Sequence, residues 1–260
     1  MLLKRIKEEY VMKNIKAFTL SEIKQLKNEL SVFEYLSWWL LRAVQLFVLI
    51  RLIINDRTNQ NVLLLSLNLL ATFTVPLVRL LLFPKWLFKR LSFHTQTFLN
   101  IMIFFGSFLA QGLEWNHKVT SWDKFLHLIA GAIIVFIGNG IAGMFLGKDD
   151  KVSSLFRTYA SVGFSYIAIV VWEVFEFFVD FYWYGSTNQA YNISPERDPF
   201  FFAIFGQGAQ NENQWAVFDT NVDMLCAVVG AIPAAIVLFV WLNNKKKKAA
   251  EDREKQSVTV

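Results

Sequence analysis

The sequence has one cysteine, five prolines and little charge for its length. The lone Cys226 rules out an intramolecular disulfide and any zinc-type cysteine cluster, and it reads as a small buried apolar side chain. Charged residues fill only 18% of the 260 positions against 55% hydrophobic, far more apolar surface than a soluble domain of this size hides. No apolar run opens the chain. The first begins near residue 33, behind a charged and amphipathic leader, so no cleavable signal peptide is expected. Period-two alternation is also lacking, which excludes a transmembrane β-barrel.

What is present is a series of continuous apolar blocks. Each is about 20 residues long, the length at which a helix crosses the roughly 30 Å hydrocarbon core. The expected fold is therefore all-α: a polytopic membrane helix bundle of about six transmembrane helices, at roughly 33–55, 61–83, 96–114, 124–146, 157–182 and 219–242. Residues 1–31 form an amphipathic cytoplasmic leader, 32–243 the transmembrane domain and 244–260 a basic, charged cytoplasmic tail. The stretch at about 183–218 is too long for a turn and is expected to be a structured outer loop over one membrane face. Within the leader, Thr19-Leu20-Ser21-Glu22 has the spacing of a capping box that starts a short helix through about residue 30, lying on the membrane surface.

Lysine and arginine set the orientation. Seven lie before residue 31, three in 84–95, three in 147–157 and six after 244, so nineteen of 26 fall on one side and both termini are expected in the cytoplasm. The net charge of +5 then belongs to the leader and to Lys245-Lys246-Lys247-Lys248, where anionic lipid headgroups lie, and calls for no nucleic acid. Arg42 and Arg79 read as side chains snorkelling to cytoplasmic headgroups. Trp115, Trp122, Trp183 and Trp215 at one side, with Trp86 and Trp241 at the other, read as interfacial belts. Small residues from Ala130 to Gly143 and from Ala227 to Ala235 read as close-packing surfaces.

The informative anomaly is a set of ionisable residues inside the last three spans. A charge at the bilayer centre costs at least about 2.5 kcal/mol and usually marks function. Asp123 and His127 are four apart at the start of the fourth span, Glu173, Glu176 and Asp180 form one stripe on the fifth, and Asp219 and Asp223 open the sixth. With alternating helix direction all of them gather in the outer half of the bilayer. Six carboxylates then face one nearby cation, Lys124, and like carboxylates sharing a site cannot all stay ionised. A divalent metal (Mg, Mn, Zn or Fe) held by Asp123, His127, Glu173, Glu176, Asp219 and Asp223 would take up the surplus. Glu173 or Glu176 would serve as general base toward a metal-bound water. Asp123 and Asp219 also fit plain helix capping, and Glu114 and His117 could join the site from the end of the third span.

Glu114, Trp122-Asp123-Lys124-Phe125-Leu126-His127 with Gly131, Trp172-Glu173-Val174-Phe175-Glu176, and Asp219-Thr220-Asn221-Val222-Asp223-Met224 with Gly230-Ala231 resemble the YjdF-like family of bacterial inner-membrane proteins. The likeness covers roughly residues 95–235 and implies a multi-pass protein of the bacterial cytoplasmic membrane. More distantly, the Asp-Lys-x-x-His element followed by a glutamate helix and an Asp-rich final helix is similar to the VanZ-like membrane proteins, some of which are linked to glycopeptide resistance. Three functions follow as expectations. The first is a metal-dependent enzyme on a lipid or lipid-linked substrate, with membrane lipids as surroundings. The second is a cation- or proton-coupled transporter using the same acids, and the third a noncatalytic envelope or resistance-associated protein.

Overall fold

The computed structural model describes residues 17–55, 60–81, 85–119, 121–146, 152–182 and 212–258, and every regular element among them is helical. In chain order these are α1 (17–29), α2 (Val32–Asn55), α3 (Gln60–Ala71), α4 (Thr74–Leu81), α5 (Lys85–Phe88), α6 (His94–Met102), a π-helical continuation at Ile103–Gly112, α7 (Trp115–Lys118), α8 (Trp122–Leu146), α9 (Ser154–Tyr182) and α10 (Glu212–Val258). Stretches Val32–Asn55, Trp122–Leu146, Ser154–Phe178 and Ala216–Ser257 are long and apolar enough to cross a membrane. Their outward faces carry exposed Leu, Ile, Val and Phe in the manner of lipid-facing surface. The chain is thus a polytopic helical membrane bundle.

The second and third expected spans are present in broken form. The break between α3 and α4 has a local cause in Pro76, which lacks an N–H and whose ring excludes the carbonyl of Thr72 four residues back. Thr72 O is thereby released and accepts Arg42 Nη2 at 2.6 Å, while Val75 N, also released, donates to Gln96 Oε1 at 2.7 Å. The third span runs as α-helix only to Met102 and then widens into ten π-helical residues.

Two expectations about charge are overturned. Arg79 does not snorkel: it is fully buried, stacks on Phe93 with 4.2 Å to the ring centroid, and donates to Glu22 at 2.8 Å, Leu91 O at 2.6 Å and Gln25 at 2.7 Å. Arg42 is likewise buried, bonded to Thr72 and held against Trp38, Trp39 and Phe73. An intramembrane guanidinium is stabilised more by fixed internal partners than by stretching to a surface when such partners are within reach. As a result α1 is tied into the bundle by Glu22 and by Glu29, which accepts from Phe93 N at 2.9 Å. The helix already includes Thr19, so the capping box is not its start.

The expected loop at 183–218 falls outside the described residues up to 211, and the chain re-enters as α10 from Glu212, seven residues before the span expected at 219. The same helix runs on through the basic tail to Val258. Trp122 is buried against Trp115, ring centroids 4.8 Å apart, and is a core residue rather than part of an interfacial belt.

Helices α8, α9 and α10 pack against one another and form the core of the bundle. Gly131 and Gly230 set the approach of α8 to α10. A Cβ on Gly131 would lie 2.0 Å from Ala227 O, and one on Gly230 would lie 1.9 Å from Leu128 O, so the two backbones touch where those glycines sit. Ser165 Oγ of α9 donates to Gly131 O at 3.2 Å and fixes the third helix to the same level.

Candidate functional site

One turn from the α8–α10 seam the side chains change from small and apolar to charged. His127 precedes Gly131 by four residues and Asp223 precedes Ala227 by four, so the contact of those two backbones brings His127 and Asp223 to one layer. Glu173 and Glu176 enter from α9, which runs in the opposite direction. Buried residues of this layer include Lys124, His127, Glu173, Glu176, Asp219 and Asp223. All six candidate ligands are brought to the same end of the three-helix core; Asp123 stands at its rim, about a third exposed.

The layer has two parts. In the first, Lys124 Nζ donates to Asp123 at 3.0 Å, to Asp223 at 2.8 Å and to Asp219. One ammonium thus gathers three carboxylates from two helices. In the second, His127 stands between acids: Nε2 lies 3.7 Å from Asp123 Oδ1 and Nδ1 lies 3.6 Å from Glu173 Oε1. Both separations are longer than a direct N–H···O bond of about 2.9 Å. They are close to the roughly 3.0–3.4 Å that separates two donors bound to one ion at about 2.1 Å each.

Two sets of three residues meet the spacing for a cation: Asp123, His127 and Asp223, and His127, Glu173 and Glu176, with ligand atoms within 4.8 Å of one another in each. Asp219 belongs to neither and is engaged by Lys124. The first set is the weaker candidate, because Lys124 already neutralises Asp123 and Asp223 and would repel a second cation. The second set is buried on all three members.

Supporting residues the sequence reading passed over now stand out. Trp172 Nε1 donates to Glu176 Oε1 at 2.7 Å, an i,i+4 pair on α9 that was readable from spacing alone. Thr220 of α10 lies beside Glu173 of α9, an approach between helices that no local pattern shows. Of the other residues singled out, Glu114 pairs with Lys118 on the exposed surface at 3.0 Å and lies outside the layer. His94 is exposed and paired with Glu34 at 2.7 Å. The side chains of Asp180 and His117 are outside the described set.

Comparison with known families gives a match. The model of a family described as predicted membrane protein (DUF2238) covers residues 37–244, well over half of the chain. The chain belongs to this family. As a DUF2238 member it carries the Lys124-centred acids, His127 and the α9 glutamates within the matched region, whereas α1 lies ahead of it. No curated protein and no solved structure matches the chain.

Proposed function

We propose that the protein binds a divalent cation between His127, Glu173 and Glu176 and uses it to act on a lipid or lipid-linked substrate at the membrane face where α8 and α10 begin. The supporting observation is the setting of His127, a buried imidazole whose Nδ1 stands at ion-sharing distance, 3.6 Å, from Glu173. Two carboxylates and one imidazole suit Zn, Mn, Fe or Mg rather than a soft thiophilic metal. Asp123, Asp219 and Asp223 act in this reading through Lys124, as a counter-charge that holds α8 to α10, rather than as direct ligands.

The chemistry of such a site is hydrolytic. A divalent ion there would polarise a phosphoryl or carbonyl oxygen and acidify a bound water. The carboxylate oxygen of Glu173 or Glu176 that does not hold the ion would take the proton from that water as it adds to the substrate and return it to the leaving oxygen. The cationic bias of 84–95, 147–157 and the tail favours an external position for this end. The resemblance to the YjdF-like family, and the more distant one to VanZ-like proteins, favours the bacterial cytoplasmic membrane.

A cation or proton path through the same acids is less well supported. Directly beneath the layer, Ala130, Ile169 and Ala227 are buried and flanked by Met102, Ile134 and Met224, a mainly apolar floor that offers an ion few ligands.

The test is elemental analysis of protein purified without added metal, then re-equilibrated with Zn, Mn, Fe or Mg. Near-stoichiometric retention of one metal is expected in the native protein, with loss in Glu173→Gln and His127→Ala. Native protein that retains none of the four would remove the enzyme reading, and ion flux in proteoliposomes would replace it with the transport one.

A further inference from the structure

A second polar layer lies among α2, α3 and α6, away from the acids. Gln45, Asn68 and Asn100 are buried, two of them with 1% of their surface exposed. Neither polar atom of the Gln45 side chain meets a hydrogen-bonding group of the protein, and the amide nitrogens of Asn68 and Asn100 do not either. Asn100 Oδ1 is engaged, accepting from Gln96 Nε2 at 2.7 Å. Native proteins leave very few buried polar atoms unpaired, so four of them on adjoining helices need a common explanation.

Their positions supply one. Arg42 of α2 bonds Thr72, and Gln96 of α6 bonds Val75 N, at the α3–α4 break. Gln45 is three residues beyond Arg42, Asn68 four before Thr72 and Asn100 four beyond Gln96. Helices α2 and α6 run alongside each other in the same direction, as the pairs His94–Glu34 and Trp38–Thr97 show. Helix α3 runs antiparallel to them, since Arg42 meets Thr72 while Leu49 and Leu65 share one apolar cluster, so each one-turn step leads to the same level. Above that level lie Leu49, Leu65 and Phe108, and below it Trp38, Val75 and Phe93, both apolar groups. Irregular backbone flanks it too, the break at Thr72–Phe73 and the π-helix from Ile103, and such backbone survives at membrane depth where protein or water surrounds it.

We propose that Gln45, Asn68 and Asn100 line an internal chamber that binds a cluster of water molecules beside the helix break. The chemistry selects the ligand. The unmet set mixes donors with an acceptor, and because both ends of Gln45 are unmet, turning its amide over changes nothing. A cation would face amide N–H groups and the nearby Arg42, for which no carboxylate lies within 4.0 Å among the described residues. An anion would leave the Gln45 oxygen opposed. A lipid chain would satisfy none of the four atoms, whereas water both donates and accepts.

Radiolytic footprinting of the full chain in nanodiscs tests this, because X-rays generate hydroxyl radicals from bound water in place and oxidise the nearest side chains. Leu65, Val135 and Leu238 are all 0% exposed, but only Leu65 adjoins the amide level; the other two sit in the α8–α10 seam. Oxidation of Leu65 severalfold above Val135 and Leu238 is expected, and equal background labelling of all three overturns the proposal. Gln45→Leu gives an independent reading: it strips a partner from the waters and should lower both Leu65 labelling and the melting temperature. In a dry chamber the same change removes two unmet atoms, so a raised melting temperature would count against the waters.

Discussion

Lys124 holds more of the site together than any other single side chain, since its ammonium is the shared partner of Asp123, Asp219 and Asp223. Lys124→Met would leave three acids facing one another without it, and breaking a buried ionic group in this way typically costs about 3–5 kcal/mol. A thermal unfolding scan in detergent should show the loss, and because Asp123 and Asp223 then stand free of the ammonium with His127 at cation-holding spacing, a divalent cation should restore part of it. The Glu22–Arg79 pair makes a parallel case at the opposite end. Glu22→Gln should destabilise by an amount of the same order, about 3–5 kcal/mol, and Glu22→Gln with Arg79→Met should recover part of it, a double-mutant cycle that separates the pair from the packing. These two clusters were unequally legible in the sequence. Acids within apolar runs stand out because the bilayer penalises them. Glu22, in contrast, sits in a charged segment, and its partner is 57 residues away with nothing local to mark it.

Among the elements, the crossing of α8 and α10 decides where the charged residues meet. Gly131→Ala or Gly230→Ala would push a methyl group into a facing backbone carbonyl and separate the helices, at a cost of about 1–3 kcal/mol for overpacking. The site should suffer as well, because His127 and Asp223 lie one turn from the point of contact; reduced metal retention with partly preserved folding is the expected result. Gly163→Ala is the control. Nothing lies within 4 Å of its added methyl group, so the gain in helix propensity, up to about 1 kcal/mol, should raise the melting temperature. The small residues of these helices announced such packing in advance. The break in the second span was readable as well, through Pro76, but its apolar run is continuous and hydropathy alone hides the interruption. The π-helix had no such marker, since Ile103–Gly112 has the composition of an ordinary membrane helix.

For the whole molecule, the structure divides into a three-helix core of α8, α9 and α10 with the acidic layer at one end, and an amino-terminal group, α1 to α6, whose buried polar residues are mainly neutral or paired. The four long helices followed from the spacing of apolar blocks because the bilayer imposes that length on any helix that spans it, whereas the second and third of the six expected spans are broken into shorter pieces. The orientation has its own test. With Cys226→Ser as background, a cysteine at Ser257 should react with a membrane-impermeant thiol reagent only when the cytoplasmic face is opened; labelling in intact cells would invert the bundle. The reach of α10 carries a further consequence. Its 47 residues, at about 1.5 Å each, make a rod of about 70 Å, more than twice the roughly 30 Å hydrocarbon thickness. The surplus stands in water as a charged mast, so whatever grips its tip would tilt or twist the α10 side of the acidic layer by leverage, without ever touching the membrane.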